Sequence, residues 1–324
     1  MFKNSLAHYL FHSPLYFLVF HCQTLKDFLA YVDYCIPVVV INNNYSHTVK
    51  PASYRNLLKL KYHNSNSIFP TQTEYNVPQK MLTQKYDEPI NHSLRRKIGK
   101  AVSQWQMISE GDKILVGLSG GKDSLILLHA LNDLKRRSPV KFSLSALTVK
   151  LSGLETSALE EYCKAQNIPY TVIEQDIIGI IHARNEKSPC SFCANMRRGI
   201  ISSWAAQNGY NKLALGHTLD DAVETFFMNL LHSGRAKSFQ PKSLMTRTGV
   251  TVIRPLVLST ESAVIDEVKR LGLPVVESPC PFAGHTERQR IREYISGLRK
   301  DIPDLYGKIL HALQNLSDSE SWKS

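Results

Sequence analysis

The chain has 324 residues, 43% of them apolar, with 39 Lys and Arg against 28 Asp and Glu and a formal net charge of +11. The apolar fraction excludes a disordered or fibrous chain and suffices for one large α/β domain or two smaller ones. The positive excess, clustered at Arg95-Arg96-Lys97, Lys135-Arg136-Arg137, Arg197-Arg198 and Arg288, Arg290 and Arg292, favours polyanionic partners through counterion release.

Residues 1–85 hold Asn42-Asn-Asn-Tyr45, Tyr62-His-Asn-Ser-Asn-Ser67 and several prolines without a sustained period, and are expected to be a poorly ordered or atypical N-terminal extension. The apolar stretch 9–20 is interrupted by His12 and Pro14, is too short to span a bilayer and lacks a convincing cleavage site, so no membrane segment is expected. From Ser93, helical spacing of Leu94, Ile98, Ala101, Val102 and Trp105 places Arg95, Arg96, Lys97 and Lys100 on the opposite face of a basic amphipathic helix.

Next comes Lys113-Ile-Leu-Val-Gly-Leu-Ser-Gly-Gly-Lys-Asp-Ser124, followed by Leu125-Ile-Leu-Leu128, which reads as a buried strand, a glycine turn and a helix start. Strand-like and helix-like segments then alternate: strand 142–149, helix 157–166, strand 170–173, helix 194–207 ended by Gly209, strand 212–215, helix 220–231, strand 250–253 and helix 261–271 ended by Gly272. That alternation predicts an α/β fold with a doubly wound parallel sheet, ligands lying at the carboxyl ends of its strands, where the glycine turn, Gly216-His217 and Arg254-Pro255 fall. One domain is expected over 86–316, with a tail at 317–324.

The turn is a phosphate cradle in composition. Gly120 and Gly121 let the backbone reach positive φ and bring N–H groups to a ligand, and the following helix adds its positive dipole end. Ser119 and Ser124 offer hydroxyls, Lys122 a point charge, and Asp123 a group to hold a metal or orient the turn. The pattern lacks the first glycine of G-x-x-x-x-G-K-[ST], and Asp123 stands where that motif needs Ser or Thr. S-G-G-x-D-S resembles instead the PP-loop of enzymes that split ATP into AMP and pyrophosphate, which implies adenylation of a substrate oxygen.

The six cysteines, at 22, 35, 163, 190, 193 and 280, are too few and scattered for a disulfide scaffold, which favours a reducing, cytoplasmic setting. Pro189-Cys190-Ser-Phe-Cys193 precedes a helix whose dipole end is expected to lower both thiol pKa values, and Cys280 follows a second proline at 279. Three thiols from two loops that could converge point to metal ligation with an open fourth position. A C-x-x-C also fits a redox pair, half a zinc site with His285 as a further ligand, or two buried thiols. Cys22, Cys35 and Cys163 read as core or incidental.

The loop, the C-x-x-C and Leu215-Gly-His-Thr-Leu-Asp-Asp-Ala-Val-Glu-Thr225, in this order, resemble the tRNA-cytidine 2-sulfurtransferase family over about 90–316. Cys193-Ala-Asn-Met-Arg-Arg-Gly199, Pro241-Lys242, Ile253-Arg-Pro-Leu256 and the third cysteine match in style. The resemblance implies an adenine nucleotide α-hydrolase-like sheet (PP-loop ATPase), ATP with Mg2+, and a [4Fe-4S] cluster on Cys190, Cys193 and Cys280. It further implies thiolation of cytidine 32, in which ATP adenylates the C2 oxygen and sulfur then displaces AMP.

In that chemistry Asp123 and Asp221 are candidates for magnesium or proton handling, His217 for a phosphate contact and Arg197 for charge stabilisation at the reacting centre. Asp221 has the plainer alternative of a helix N-terminal carboxylate, and Arg197 that of phosphate positioning or a surface role. The expected partners are tRNA at its anticodon loop, held by the 95–100 helix and the 288–300 region, a sulfur donor such as a cysteine desulfurase, and a second copy of the chain. The residues after Cys280 read Pro-Phe-Ala-Gly-His-Thr where some relatives carry another C-x-x-C. Thiolation of another tRNA base by a sister family, lysidine synthesis, and a zinc-stabilised, non-catalytic binding module are the rival readings.

Overall fold

The computed structural model describes strands β1 (Val38–Asn42) and β2 (Tyr45–Val49), residues 86–277, 280, 282 and 287–315. The chain divides into two units, Met1–Asn76 and Val77–Ser324. In the first, β1 and β2 pair antiparallel with Asn42 opposite Tyr45, a hairpin that the sequence reading did not anticipate. The other expectations for 1–85, including Cys22 and Cys35, lie outside the described residues, as do His285 and the tail at 317–324.

The second unit is built on a six-stranded sheet of order β5-β4-β3-β6-β8-β7. Its strands are β3 (Lys113–Gly117), β4 (Ser143–Lys150), β5 (Tyr170–Glu174), β6 (Lys212–Ala214), β7 (Lys242–Leu244) and β8 (Thr251–Ile253). All neighbours are parallel except β7, a short edge strand that runs antiparallel to β8. The expected doubly wound α/β sheet is therefore present with one antiparallel edge.

Alternation along the strands decides which residue faces which helical layer. Ile114 and Val116 of β3 enter one apolar cluster with Leu94, Ile98, Leu125, Leu128 and Val264, while Leu115 enters the other with Ile177, Ile181, Ile201 and Ala205. The first layer holds α1 (His92–Gln104), α2 (Lys122–Arg137), α3 (Ser157–Ala165) and α7 (Glu261–Leu271); the second holds α4 (Ile177–Ala183) and α5 (Pro189–Gln207). Helix α2 is buried without interruption from Ser124 to Asp133, the pattern of a helix enclosed on all sides. A third cluster joins α6 (Leu219–Ser233) to α8 (Glu287–Asp301) and α9 (Leu305–Gln314) through Val223, Ile291, Ile295 and Leu305.

Strand order reverses on either side of β3: the chain moves outward through β4 and β5, then returns to β6 on the other flank. The carboxyl ends of β3 and β6 thus diverge into separate connections and leave a crevice between them. The glycine turn leaves β3 into that crevice, and Gly216-His217 leave β6 into it.

Candidate nucleotide and thiol site

The loop between β3 and α2 is held by its own hydroxyls. Ser124 Oγ donates to Gly121 O (2.9 Å) and accepts from the Ser119 N–H (3.1 Å), while the two serine hydroxyls lie 3.1 Å apart. Thr148 of β4 anchors the approach by donating to Leu118 O at 2.6 Å. Gly120 takes φ +86°, as expected for a tight turn, but Gly121 is extended at φ −72° and serves as the N-cap of α2. No side chain caps that helix, so its first-turn N–H groups are left for a ligand.

Close approach explains two other glycines' neighbours. A Cβ on Gly216 would lie 2.8 Å from the Asp123 carbonyl carbon and oxygen, so β6 and the start of α2 touch backbone to backbone. At Gly120 the carbonyl accepts from the Val276 N–H at 2.9 Å, which ties the loop to the segment leading to Cys280.

Lys122 Nζ stands 2.7 Å from Glu261 Oε1 and 3.0 Å from Asp123 Oδ2. Burial pulls its pKa down, yet the hydrogen bond to Glu261 and the Asp123 charge outweigh burial and raise it, so the ammonium stays charged. Burial raises the Asp123 pKa against the pull of Lys122, and Asp123 Oδ1 is buried without a hydrogen-bond partner among the described residues. A hard oxygen left unpaired beside the phosphate loop is the kind of donor that Mg2+ takes.

Asp221 is more committed. Its Oδ2 accepts from the Thr218 N–H (2.9 Å) and hydroxyl (3.1 Å), closing a capping box at the start of α6, and Oδ1 accepts from Arg288 at 3.0 Å. The helix N-terminal reading of this residue is the one its geometry favours. Arg288 also reaches Glu224 Oε2 at 3.0 Å, and Arg292 reaches Glu224 Oε1 at 2.5 Å. These two arginines, expected to hold RNA phosphates, are instead engaged with a carboxylate only 2% exposed. Arg95 is similarly turned inward, donating to Ile90 O at 2.8 Å, whereas Arg96 and Lys100 are exposed.

His217 stands between Arg254 and Phe239. Arg254 Nε donates to His217 Nδ1 at 3.3 Å, and the Phe239 ring lies 4.9 Å from both the imidazole and the guanidinium. Burial, then the charge of Arg254, lowers the His217 pKa to about 4, so it is a neutral ring at physiological pH. The sequence marked Arg254 by its place after a strand and within Ile253-Arg-Pro-Leu256, but gave it no role. Glu261 and Phe239 were not anticipated.

The three singled-out cysteines lie within electrostatic reach of one another. Helix α5 begins at Pro189, earlier than expected, so Cys190 and Cys193 lie in its first turn. Cys193 is buried in the second apolar cluster, against which Phe192, Met196 and Phe282 pack, and Cys190 is exposed with its Sγ 3.9 Å from Phe282 O. The Cys190 pKa is raised, first by burial and then by the charges of Cys280 and Cys193, which corrects the expectation of a lowered value for that thiol. The same effect places the three thiols near one another. Among the described residues no three His, Cys, Asp or Glu are drawn together tightly enough to hold an ion as they stand. The donor set, three soft thiols in partly apolar surroundings, fits an iron-sulfur cluster better than a hard cation. Cys163, whose pKa burial pushes to about 12, is an inert core thiol. Arg197 is half-buried on α5, one turn beyond Cys193.

The PP-loop domain family matches residues 90–298. The tRNA-cytidine(32) 2-sulfurtransferase of Pelobacter propionicus is 38% identical over 235 residues, covering 70% of this chain and 87% of that protein. Its counterpart in Geobacter metallireducens is 37% identical, covering 71% and 92%. Among solved structures, the U34-tRNA thiolase NcsA from Methanococcus maripaludis with its [4Fe-4S] cluster aligns with a TM-score of 0.60 at 26% identity, over 72% of this chain and 82% of that one. A loop suited to polyphosphate at the switch point, with three thiols nearby and relatives this similar over most of their length, leads to one conclusion: the chain is an enzyme that belongs to the tRNA-cytidine(32) 2-sulfurtransferase family.

Proposed function

We propose that this enzyme converts cytidine 32 of tRNA to 2-thiocytidine at the expense of ATP. The observation that carries the reading is the link between the complete S-G-G-K-D-S loop and the segment before Cys280, made by the Val276 N–H to Gly120 carbonyl bond. The cytosine C2 oxygen attacks the α-phosphorus of ATP, pyrophosphate leaves, and the adenylated C2 becomes an electrophile. Sulfur then adds at C2 and AMP departs with the former oxygen. The loop N–H groups, Ser119 and Ser124, with Lys122 released from Glu261, bind the leaving pyrophosphate, and Asp123 is the ligand for Mg2+. His217 donates to a phosphate, and Asp221 positions the start of α6 through Thr218 and Arg288. Arg197, near the thiols, is the candidate for stabilising charge as AMP leaves.

Cys190, Cys193 and Cys280 would hold a [4Fe-4S] cluster, which when bound supplies an iron without a protein ligand and so able to carry sulfur. The Phe192, Met196 and Phe282 side chains, which pack against the apolar cluster that holds Cys193, would limit its exposure to water. The target base must leave its stack to reach the loop, a smaller cost in an anticodon loop than in a duplex. Among the described residues no helix is long and apolar enough to cross a membrane, and a tRNA substrate favours the cytoplasm. A cysteine desulfurase as sulfur donor, pairing of two copies of the chain, and the 86–316 domain with its 1–85 extension complete the reading.

Nucleoside mass spectrometry of tRNA from a strain lacking the gene tests it: 2-thiocytidine alone should vanish. The likeness to a U34-tRNA thiolase favours a second reading, thiolation of a different base, and loss of another sulfur nucleoside would select it. Colourless protein with stoichiometric zinc, purified without oxygen, would instead support the binding module.

A further inference from the structure

Arg254 is only 5% exposed, yet among the described residues no carboxylate pairs with it. A buried guanidinium without a counter-charge is costly, and the nearby positive charge of Arg198 adds to that cost by lowering the Arg254 pKa, after burial, to about 10. Two of its three nitrogens are nonetheless directed by the protein. Nη1 donates to Gln240 O at 2.6 Å and lies 3.4 Å from Ser243 Oγ, Nε points at His217 Nδ1, and the plane lies over Phe239.

Donor and acceptor chemistry then determines where the imidazole proton sits. A guanidinium donates and never accepts, so the ring nitrogen facing it must be the lone pair. In His217 that nitrogen is Nδ1, and the proton of the neutral ring is therefore on Nε2. Phe239 packs against the imidazole at a tilt of 41° while Arg254 holds its edge. The backbone of the preceding residue, Gly216, rests against Asp123 and Ser124 at the end of the phosphate loop.

We propose that Arg254 is a positioning residue for the nucleotide step: it locks His217 in the Nε2–H tautomer and so presents a neutral hydrogen-bond donor to the bound ATP phosphates. This rests on the reading of the loop as an ATP site. A neutral donor gives the site a hydrogen bond whose strength does not vary across the physiological pH range. Burial acts first on His217, and the charges that bear most on it are Arg254 after β8, the carboxylate Asp221 on α6, Arg288 on α8 and Arg198 on α5. Burial and the three cations together outweigh Asp221 and disfavour the imidazolium.

The test uses the full-length chain and Mg-ATP. Long-range proton–nitrogen NMR of the histidine rings should show His217 as the Nε2–H tautomer, without titration above about pH 5. In Arg254→Met the ring should titrate nearer its ordinary value of about 6.5 and populate both tautomers. Arg254→Lys, which keeps a cationic donor, should hold the tautomer and acts as the folding control. Equilibrium ATP binding should weaken about tenfold in Arg254→Met, with a pH inflection shifted upward from that of the native chain, but less than about twofold when the same change is made in a His217→Gln background. An equal loss in both backgrounds, or His217 titrating near its ordinary value in the native chain, would overturn the proposal. These readouts contain no tRNA, so failure of the cytidine reading would show separately, as normal ATP binding without 2-thiocytidine.

Discussion

Lys122 and Glu261 meet at 2.7 Å, so the one ammonium in the phosphate loop is engaged by a carboxylate from the first turn of α7. Phosphate must take Lys122 from Glu261, and both side chains are partly exposed, which keeps the pair weak, at about 1 kcal/mol or less. Glu261→Gln should therefore tighten ATP binding, by up to about fivefold, in calorimetric titration at fixed magnesium and salt. Weaker binding would mean that Glu261 orients the lysine rather than competing for it.

Gly216→Ala should uncouple the two halves of the crevice. The added Cβ would meet Asp123 backbone atoms at 2.8 Å, and neither backbone is free to yield as a flexible side chain would. ATP binding should fall by more than about tenfold through displacement of the loop, the size expected of a 1–3 kcal/mol overpacking cost. Gly99→Ala, in α1 with nothing within 4 Å of the new Cβ, is the control and should stabilise by about 0.5–1 kcal/mol.

Cys280→Ala should abolish thiolation while ATP binding stays within about twofold of native, because on the proposed reading a ligand to a soft metal centre would be lost and the loop left untouched. Retained 2-thiocytidine in cells that carry only this variant would remove Cys280 from the thiol set. Asp123→Asn should lower ATP turnover and weaken its magnesium dependence; unchanged adenylation would show the carboxylate to be structural.

Glu267 provides the acid-sensitive fastening. Burial would raise its pKa, but hydrogen bonds from Arg270 (2.7 and 3.0 Å) and from the Asn91 backbone and side chain (2.7 and 2.5 Å) reverse the direction and lower it from 4.5. The unfolded chain then takes up a proton before the folded one, so this contribution is present above about pH 4.5 and is lost as pH falls through the lower folded value. Urea midpoints measured from pH 7 to pH 3 should drop more steeply in the native protein than in Glu267→Gln, which should be less stable at pH 7. Parallel curves would assign the acid sensitivity elsewhere.

Much of this arrangement was legible because local chemistry and global topology agree. Helix α7 was readable to the residue, since Thr260 caps its start, accepting from the Ala263 N–H, and Gly272 ends it in the left-handed region. The loop was readable because φ +86° at Gly120 and an approach of this kind leave few residue choices. Strand β7 was missed because Lys242-Ser-Leu244 has neither length nor alternation, and only pairing with β8 makes it a strand. The short α4 escaped because Ile177-Ile-Gly-Ile-Ile181 reads equally well as a buried strand. The engagement of Arg288 and Arg292 was hidden for a different reason: their partner Glu224 is 64 and 68 residues away, and composition reports charge without reporting what it faces.

The Val276 to Gly120 hydrogen bond has a mechanical meaning as well. Cys280 lies four positions beyond Val276, and a chain that short reaches no farther than about 14 Å. The third thiol is thus on a leash fastened to the phosphate loop, and its working radius is about the length of a nucleotide. On the proposed reading, whatever shifts the loop when ATP arrives or pyrophosphate leaves pulls on the same leash, and activation of the base and delivery of sulfur would be kept in step by a length of chain.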